Sequence, residues 1–350
     1  MFDLAMPRPV LGLLPGDVVL TGDRPTGPLH LGHLAGSLAA RVAGQHACPH
    51  TILVADLQAL TDHAHDVGRV RDAVDGILID YAAVGLDPAK VRLVLQSDVP
   101  EISEITVLLL NLVSLERILR NPTVKAELAQ KGDNARNTGF AIYPASQAAD
   151  ILAFRATAVP VGRDQAPMIE LAAHLADQLA LRGAEVPVPR AVFPAARAAG
   201  RLPGCDGRKA SKTLGNAIAL GATDAEIASA VRRMVSDPAR TSRADPGDPD
   251  KPIAFAYLRA FDPDRQGLAD LEAEYRRGGV GDGDVKKRAE RVVRDLVGPV
   301  RERRDEAGRR LPELRDALRD GTASARETAR ETLDGIRSCF GLSRRASCGD

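Results

Sequence analysis

The chain has 350 residues, 44% of them hydrophobic and 27% charged, which is ordinary for a globular protein and enough for two domains with sizeable cores. Its 47 basic residues balance 47 acidic ones, so net charge does not mark a nucleic-acid binder, and any contact with a polyanion has to come from local clusters. No apolar run approaches the roughly 18 residues of a membrane span, and residues 1–16 lack the basic start and apolar core of a signal peptide, so a cytoplasmic protein without a membrane partner is expected.

In chain order, Val18, Val19 and Leu20 predict a short buried strand, and residues 21–28, rich in Gly and Pro, predict a tight turn. A helix follows, because Leu31, Leu34, Leu38 and Val42 recur at three- and four-residue steps. His30 and His33 then fall at or just inside its start, where unpaired N–H groups and the positive dipole end attract anions. Gly32 between them lets an adenine or ribose lie against the backbone. An isolated pair of histidines at this spacing also reads as a simple surface cap.

Strands are predicted at 51–55 and 91–95, and helices at 70–84 and 102–119. Such alternation argues for an α/β fold with a Rossmann-like parallel sheet, whose ligands bind at the carboxyl ends of the strands near a switch point in strand order. Residues 143–152 predict a helix with Tyr143, Gln147 and Asp150 on one face, so all three can point into one pocket. A short strand then enters the turn Gly162-Arg163-Asp164-Gln165, and a helix follows at Met168. Next comes a loop of turn formers, Pro203-Gly204-Cys205-Asp206-Gly207, carrying Lys209 and Lys212. Two lysines on a mobile loop suit compensation of charge growing on phosphate oxygens, although most such pairs are solvated basic turns.

From Thr223 onward the pattern is helical, at 224–235, 252–260, 268–276, 285–297 and 323–339, so the expected organisation is a catalytic domain at 17–221 and an all-helical domain at 222–342. The ends, 1–16 and 343–350, are expected to be flexible. Basic clusters at 276–277, 286–288, 301–304, 309–310 and 344–345 concentrate positive charge in the last quarter, where a nucleic acid could be met, yet each also reads as a solvated helix face. Cys48, Cys205, Cys339 and Cys348 form no C-x-x-C pair, which argues for reduced thiols. His46, Cys48 and His50 lie close together, but no second pair completes a tetrahedral site, and no metal is expected there.

The segments His30-Leu31-Gly32-His33 and Lys209-Ala210-Ser211-Lys212-Thr213, in this order, resemble the HIGH and KMSKS signatures of class I aminoacyl-tRNA synthetases. Tyr143-Pro144-Ala145-Ser146-Gln147-Ala148-Ala149-Asp150 and Val159-Pro160-Val161-Gly162-Arg163-Asp164-Gln165 are similar to segments of the tryptophanyl-tRNA synthetase family. The resemblance runs from Val18 to about Leu342. It implies an ATP site lined by Arg24, Pro25, Thr26, Gly32 and His33 with His30 beside them, by Gly162, Arg163 and Asp164, and by Leu202 through its backbone. Lys209, Ala210, Ser211, Lys212 and Thr213 would close over the pyrophosphate, and Lys125 falls where the family has a mobile phosphate-binding lysine. His30, His33, Lys125, Lys209 and Lys212 would be the catalytic set.

By the same resemblance Asp150 would accept the indole N–H, and Leu20, Gln58, Tyr143, Gln147, Val159, Val161 and Gln165 would surround the tryptophan. Indole only donates, so a carboxylate suits it, and phenylalanine would leave that acceptor unpaired. A tyrosine phenol can also donate to Asp150, so tyrosyl-tRNA synthetase stays an alternative, as does a paralogue that binds tryptophan and ATP without charging tRNA. The chain departs from the common bacterial pattern at Leu31, Ala210 and Thr213, and at Gln58 and Gln147, where many relatives have histidine and methionine. The implied reaction uses Mg-ATP to form tryptophanyl-adenylate and passes the acyl group to tRNA(Trp), in a homodimer, without a protein nucleophile.

Overall fold

A computed structural model describes residues 12–131, 137–193, 202–208, 210 and 214–342. Five parallel strands, β1 (Val19–Asp23), β2 (His50–Val54), β3 (Arg92–Leu95), β4 (Ala158–Pro160) and β5 (Arg190–Val192), form one sheet in the order β3-β2-β1-β4-β5. β1 pairs with β2 along its length, from Val19 opposite His50 to Asp23 opposite Val54, but meets β4 only where Val19 faces Ala158. Strand order reverses between β1 and β4, so their carboxyl ends diverge and leave room for a ligand. The expected Rossmann-like α/β architecture is therefore observed.

The first helical run has three parts: α1 (Leu31–His33), a π turn (Leu34–Leu38) and α2 (Ala39–Gly44). The periodicity predicts an uninterrupted helix, and the wider turn falls where Ser37 Oγ donates back to the His33 carbonyl at 3.3 Å. Next come α3 (Asp56–His63), α4 (Val67–Val84), α5 (Glu101–Leu110) and α6 (Leu115–Arg120). The helix predicted over 102–119 is thus two, because the Ser114 hydroxyl accepts the Arg117 N–H at 3.2 Å and starts a new helix inside an apolar run. Further on lie α7 (Pro122–Lys131), α8 (Thr138–Ala153) and α9 (Ala166–Ala180).

The remaining helices are α10 (Asp224–Arg232), α11 (Ile253–Phe261), α12 (Arg265–Arg277), α13 (Asp282–Arg309) and α14 (Leu311–Cys339). α13 and α14 are longer than predicted, since their charged sequences carry only a narrow buried stripe, Val300 and Ala307 in one, Leu314 and Leu318 in the other. One core cluster joins Leu31, Ile52, Ile77 and Tyr81 to Phe255, Tyr257, Val293 and Val297. A second joins Leu20, Leu53, Val94, Ala148 and Leu175 to Ala325, Ala329 and Leu333 of α14. Both clusters include residues from beyond 222, so the helical part packs on the sheet part rather than hanging from it.

α14 also covers the open edge of the sheet. The Thr322 hydroxyl accepts the Leu95 N–H at 3.0 Å and donates to the Leu318 carbonyl at 2.6 Å. This satisfies an edge-strand amide that would otherwise invite pairing with another chain. Among the described residues no helix is long and apolar enough to cross a membrane.

Candidate functional site

His30 is the N-cap of α1, in extended backbone conformation, and its Nδ1 accepts the Gly32 N–H at 3.1 Å. His33 returns the bond, its Nδ1 accepting the His30 N–H at 3.2 Å, and the two rings lie 3.9 Å apart. A neutral imidazole that accepts through Nδ1 carries its proton on Nε2. Both rings therefore present an N–H donor on the edge away from the backbone, beside a helix start that favours anions. A Cβ at Gly32 would stand 2.8 Å from His30 Cε1 and 2.9 Å from Nδ1, so the glycine is what permits this reciprocal cap.

Beneath the turn lies a buried charge network. Arg41 Nη1 donates to Asp23 Oδ2 at 2.5 Å and Arg41 Nη2 to the Gly22 carbonyl at 3.2 Å, while the Tyr81 hydroxyl donates to Asp23 Oδ2 at 2.7 Å. Burial pushes the Asp23 carboxyl up, but the Arg41 charge and the bonds from Arg41 and Tyr81 outweigh it and hold the group below its usual range. His50 is pushed down to about 3 by burial and by Arg41, and its Nε2 lies 3.0 Å from Thr21 Oγ1. The Cys48 thiol turns to the Leu14 carbonyl at 3.7 Å, so the neighbouring His46, Cys48 and His50 do not converge. Arg24 pairs with Asp62 at 3.0 Å, and the Thr26 carbonyl accepts from Arg69 Nε at 3.2 Å and Nη2 at 3.1 Å.

Of the second signature, Lys209, Ser211, Lys212 and Thr213 lie outside the described residues. Ala210 is described, and its Cβ comes within 3.6 Å of the point a Gly32 Cβ would occupy. The chain after the loop pairs with the first signature: Leu31 N–H donates to the Ile218 carbonyl at 2.9 Å, Leu220 N–H to the Leu29 carbonyl at 3.0 Å, and His30 faces Ala219 in an antiparallel bridge. The base of the loop is closed by Cys205 N–H on the Asn216 carbonyl at 2.7 Å, and Asp206 Oδ1 accepts from Asn216 Nδ2 at 2.7 Å and from Arg208 N–H at 3.0 Å. The Tyr257 hydroxyl of α11 donates to the Pro203 carbonyl at 3.0 Å, which anchors this base to the helical part. Leu202 is buried in the same core.

Asp150 is buried at the middle of the third group. Its Oδ2 accepts from Gln58 Nε2 at 2.5 Å and its Oδ1 from Gln96 Nε2 at 2.8 Å. Burial pushes its carboxyl up to about 8, against the Gln96 bond that pulls it down, and Asp56 adds to the rise. Gln96 Oε1 accepts the Gln58 N–H at 3.1 Å, which fixes the Gln96 amide with its NH2 toward the acid. Gln96 does not follow from sequence reasoning: it comes from the end of β3, 54 residues before Asp150, and only the parallel sheet brings the two together. Leu20, Val159 and Val161 share one cluster with Ala148 and Ala149 beside Asp150. Tyr143 packs instead with Val124, Phe140 and Met168, its ring 5.2 Å from that of Phe140, and Gln147 is half-buried.

The turn Arg163–Gln165 is tied to the start of α7. The Thr123 hydroxyl donates to the Asp164 carbonyl at 2.7 Å and Asn121 Nδ2 to the Pro167 carbonyl at 3.0 Å, and Lys125, two residues beyond Thr123, is exposed. Arg163 lies over the Phe193 ring at 5.1 Å, and Gln165 Nε2 donates to Asp164 Oδ2 at 3.3 Å. The basic clusters of the helical part are largely committed elsewhere: Arg276 pairs with Glu272, Arg288 with Asp262, Arg301 with Asp224, and Arg310 with Glu313. Lys287 and Arg291, one turn apart on α13, stay exposed.

A parallel sheet of this order, with a histidine-capped helix at the switch point and a lysine-loop base closing on it, defines the class I aminoacyl-tRNA synthetase architecture. The family described as "tRNA synthetases class I (W and Y)" matches residues 17–298, and the chain belongs to it. Within that family, the chain is 45% identical to the tryptophan–tRNA ligase of Clostridium longisporum, over 93% of this chain and 97% of that one. It is 42% identical to that of Streptococcus mutans, over 93% and 98%. Among solved structures, Campylobacter jejuni tryptophanyl-tRNA synthetase complexed with ADP and tryptophane superposes with a TM-score of 0.78 at 28% identity, covering 93% of this chain and 99% of that one.

Proposed function

We propose that this chain, similar to proteins named tryptophan–tRNA ligase, activates L-tryptophan with Mg-ATP to give tryptophanyl-adenylate and transfers the acyl group to tRNA(Trp), and that it does so in the cytoplasm. The observation that carries the reading is the bridge between residues 218–220 and 29–31, which holds the base of the lysine loop against the histidine-capped helix. ATP phosphates would lie at this junction, where the Nε2–H groups of His30 and His33 donate and Lys125, Lys209 and Lys212 compensate the charge on departing pyrophosphate. The tryptophan carboxylate attacks the α-phosphate in line and displaces pyrophosphate, and a terminal adenosine hydroxyl of tRNA then attacks the adenylate carbonyl, breaking the acyl–phosphate bond and releasing AMP, so the protein supplies position and charge.

The choice of amino acid rests on Asp150. Entry of an indole exchanges the Gln58 amide on Oδ2 for the ring N–H, while Gln96 keeps Oδ1 in place. Residues 222–342 form the anticodon-binding part in this reading, with Lys287 and Arg291 as free cations for the backbone. A homodimer is proposed as well; exposed Val107, Leu115 and Leu119 on α5 and α6 support it, and sedimentation at twice the 37.2 kDa chain mass checks it.

The test is exchange of labelled pyrophosphate into ATP with tryptophan or tyrosine. We expect exchange with tryptophan and at least roughly 100-fold less with tyrosine. Exchange driven by tyrosine instead would make the chain a tyrosyl enzyme, and tight tryptophan binding without tRNA acylation would make it a binding paralogue. The chain contains no tryptophan, so a change in the amino acid's own emission reports binding without a protein tryptophan signal beneath it.

A further inference from the structure

The turn at residues 23–29, which leads into the first signature, is held at both ends by consecutive residues of α4. At its start the Tyr81 hydroxyl donates to Asp23 at 2.7 Å, and at its end Asp80 Oδ2 accepts the Leu29 N–H at 2.8 Å. Asp80 is 0% exposed, and its other oxygen pairs with Arg304 of α13. The Arg304 guanidinium lies against Gly221, where a Cβ would stand 2.7 Å from Nε. One turn earlier on the same helix, Arg301 Nη1 donates to the Ala222 carbonyl at 2.7 Å and to Asp224 Oδ1 at 3.0 Å. Residues 221–224 leave directly from the 218–220 segment that bridges to the first signature.

A buried ion pair is a poor source of net stability, because desolvating both ions offsets their attraction. What this pair does fix is position. Arg304 touches at once the acid holding the exit of the phosphate turn and the segment returning from the lysine loop. A displacement of α13 therefore moves the Leu29 amide, and with it the adjoining His30 cap.

We infer that Asp80 and Arg304 are positioning residues for adenylate formation, setting the phosphate turn and the return segment of the lysine loop in one register and tying both to the helical part. The inference rests on the adenylate-forming reading above. Neither residue belongs to the tryptophan pocket, whose selector is held by α3, the end of β3 and α8. Loss of the pair should therefore act on kcat and leave the KM for tryptophan alone.

The experiment compares full-length wild type, Arg304→Gln, Arg304→Lys, Asp80→Asn and the double variant Asp80→Asn with Arg304→Gln. Tryptophan-dependent pyrophosphate exchange is measured per active site, titrated by the burst of adenylate. Arg304→Gln is expected to lower kcat about tenfold, a barrier change of about 1.4 kcal/mol, with the KM for tryptophan unchanged. Arg304→Lys recovers most of that loss, and the double variant loses no more than either single one, as coupled partners do. Unchanged kcat per active site overturns the inference. So does a kcat loss matched by a rise in the KM for tryptophan and by lowered thermal stability, with lysine no better than glutamine. Wild type without exchange would remove the adenylate-forming reading itself, so the two failures are distinct.

Discussion

Asp150 combines two properties that oppose each other: a buried carboxyl pushed up to about 8, and two amide donors, from Gln58 and Gln96, that favour its charged form. The ionised acid is the stronger acceptor for an indole N–H. Capture of tryptophan should therefore improve as pH rises through about 8, read as kcat/KM for tryptophan in pyrophosphate exchange. Asp150→Asn should flatten that profile and lower it by about 10- to 100-fold; a variant that keeps the wild-type slope contradicts the assignment. The sign for folding is the reverse. A carboxyl raised by burial contributes stability at acid pH that is lost as pH rises through about 8, so this site works against the fold where it works best on substrate. Spacing put Tyr143, Gln147 and Asp150 on one helix face, yet Tyr143 packs with Val124, Phe140 and Met168 while Asp150 meets Gln58 and Gln96, and Gln58 was named only through family resemblance. Gln96 was not legible, since nothing near it in sequence marks it and the contact exists only because β3 ends beside α8.

At the scale of elements, the sequence pattern located β1 to β4, α4 and most of α8, but not α3 or α7. It failed where a single side chain redirects the backbone. Ser114 splits α5 from α6 and Ser37 accompanies the π turn, and neither changes the apolar pattern. β5 was missed because three residues between Pro189 and Phe193 are too few for a period to show; Arg190 is instead fixed by an ion pair to Asp17 at 2.5 Å. The first half of α14 was missed for the opposite reason, its charged residues hiding a thin buried stripe. Its place against β3 depends on Gly321, where a Cβ would overlap the Leu93 carbonyl. Gly321→Ala should destabilise the fold by about 1–3 kcal/mol, read as a lower urea midpoint with unchanged slope. An unchanged midpoint would show that the contact gives way without cost.

For the molecule as a whole, zero net charge conceals a division of labour. Many arginines of the helical part are spent on internal pairs, including those that hold it to the sheet, while Lys287 and Arg291 stay exposed. The two halves thereby act on one junction, where the lysine-loop base, the histidine cap and α13 meet. On the proposed reading the selector, Asp150, lies apart from that junction, beside the end of β3, and binding of the amino acid and its activation are expected to be separable by mutation. The central claim is that one buried carboxylate reads one ring hydrogen. A crystal structure with bound tryptophan tests it most directly. The account predicts the indole nitrogen within about 3 Å of Asp150 Oδ2, with the Gln58 amide displaced and Gln96 still on Oδ1. Asp150 still held by both amides, with the ring nitrogen pointing elsewhere, would contradict it.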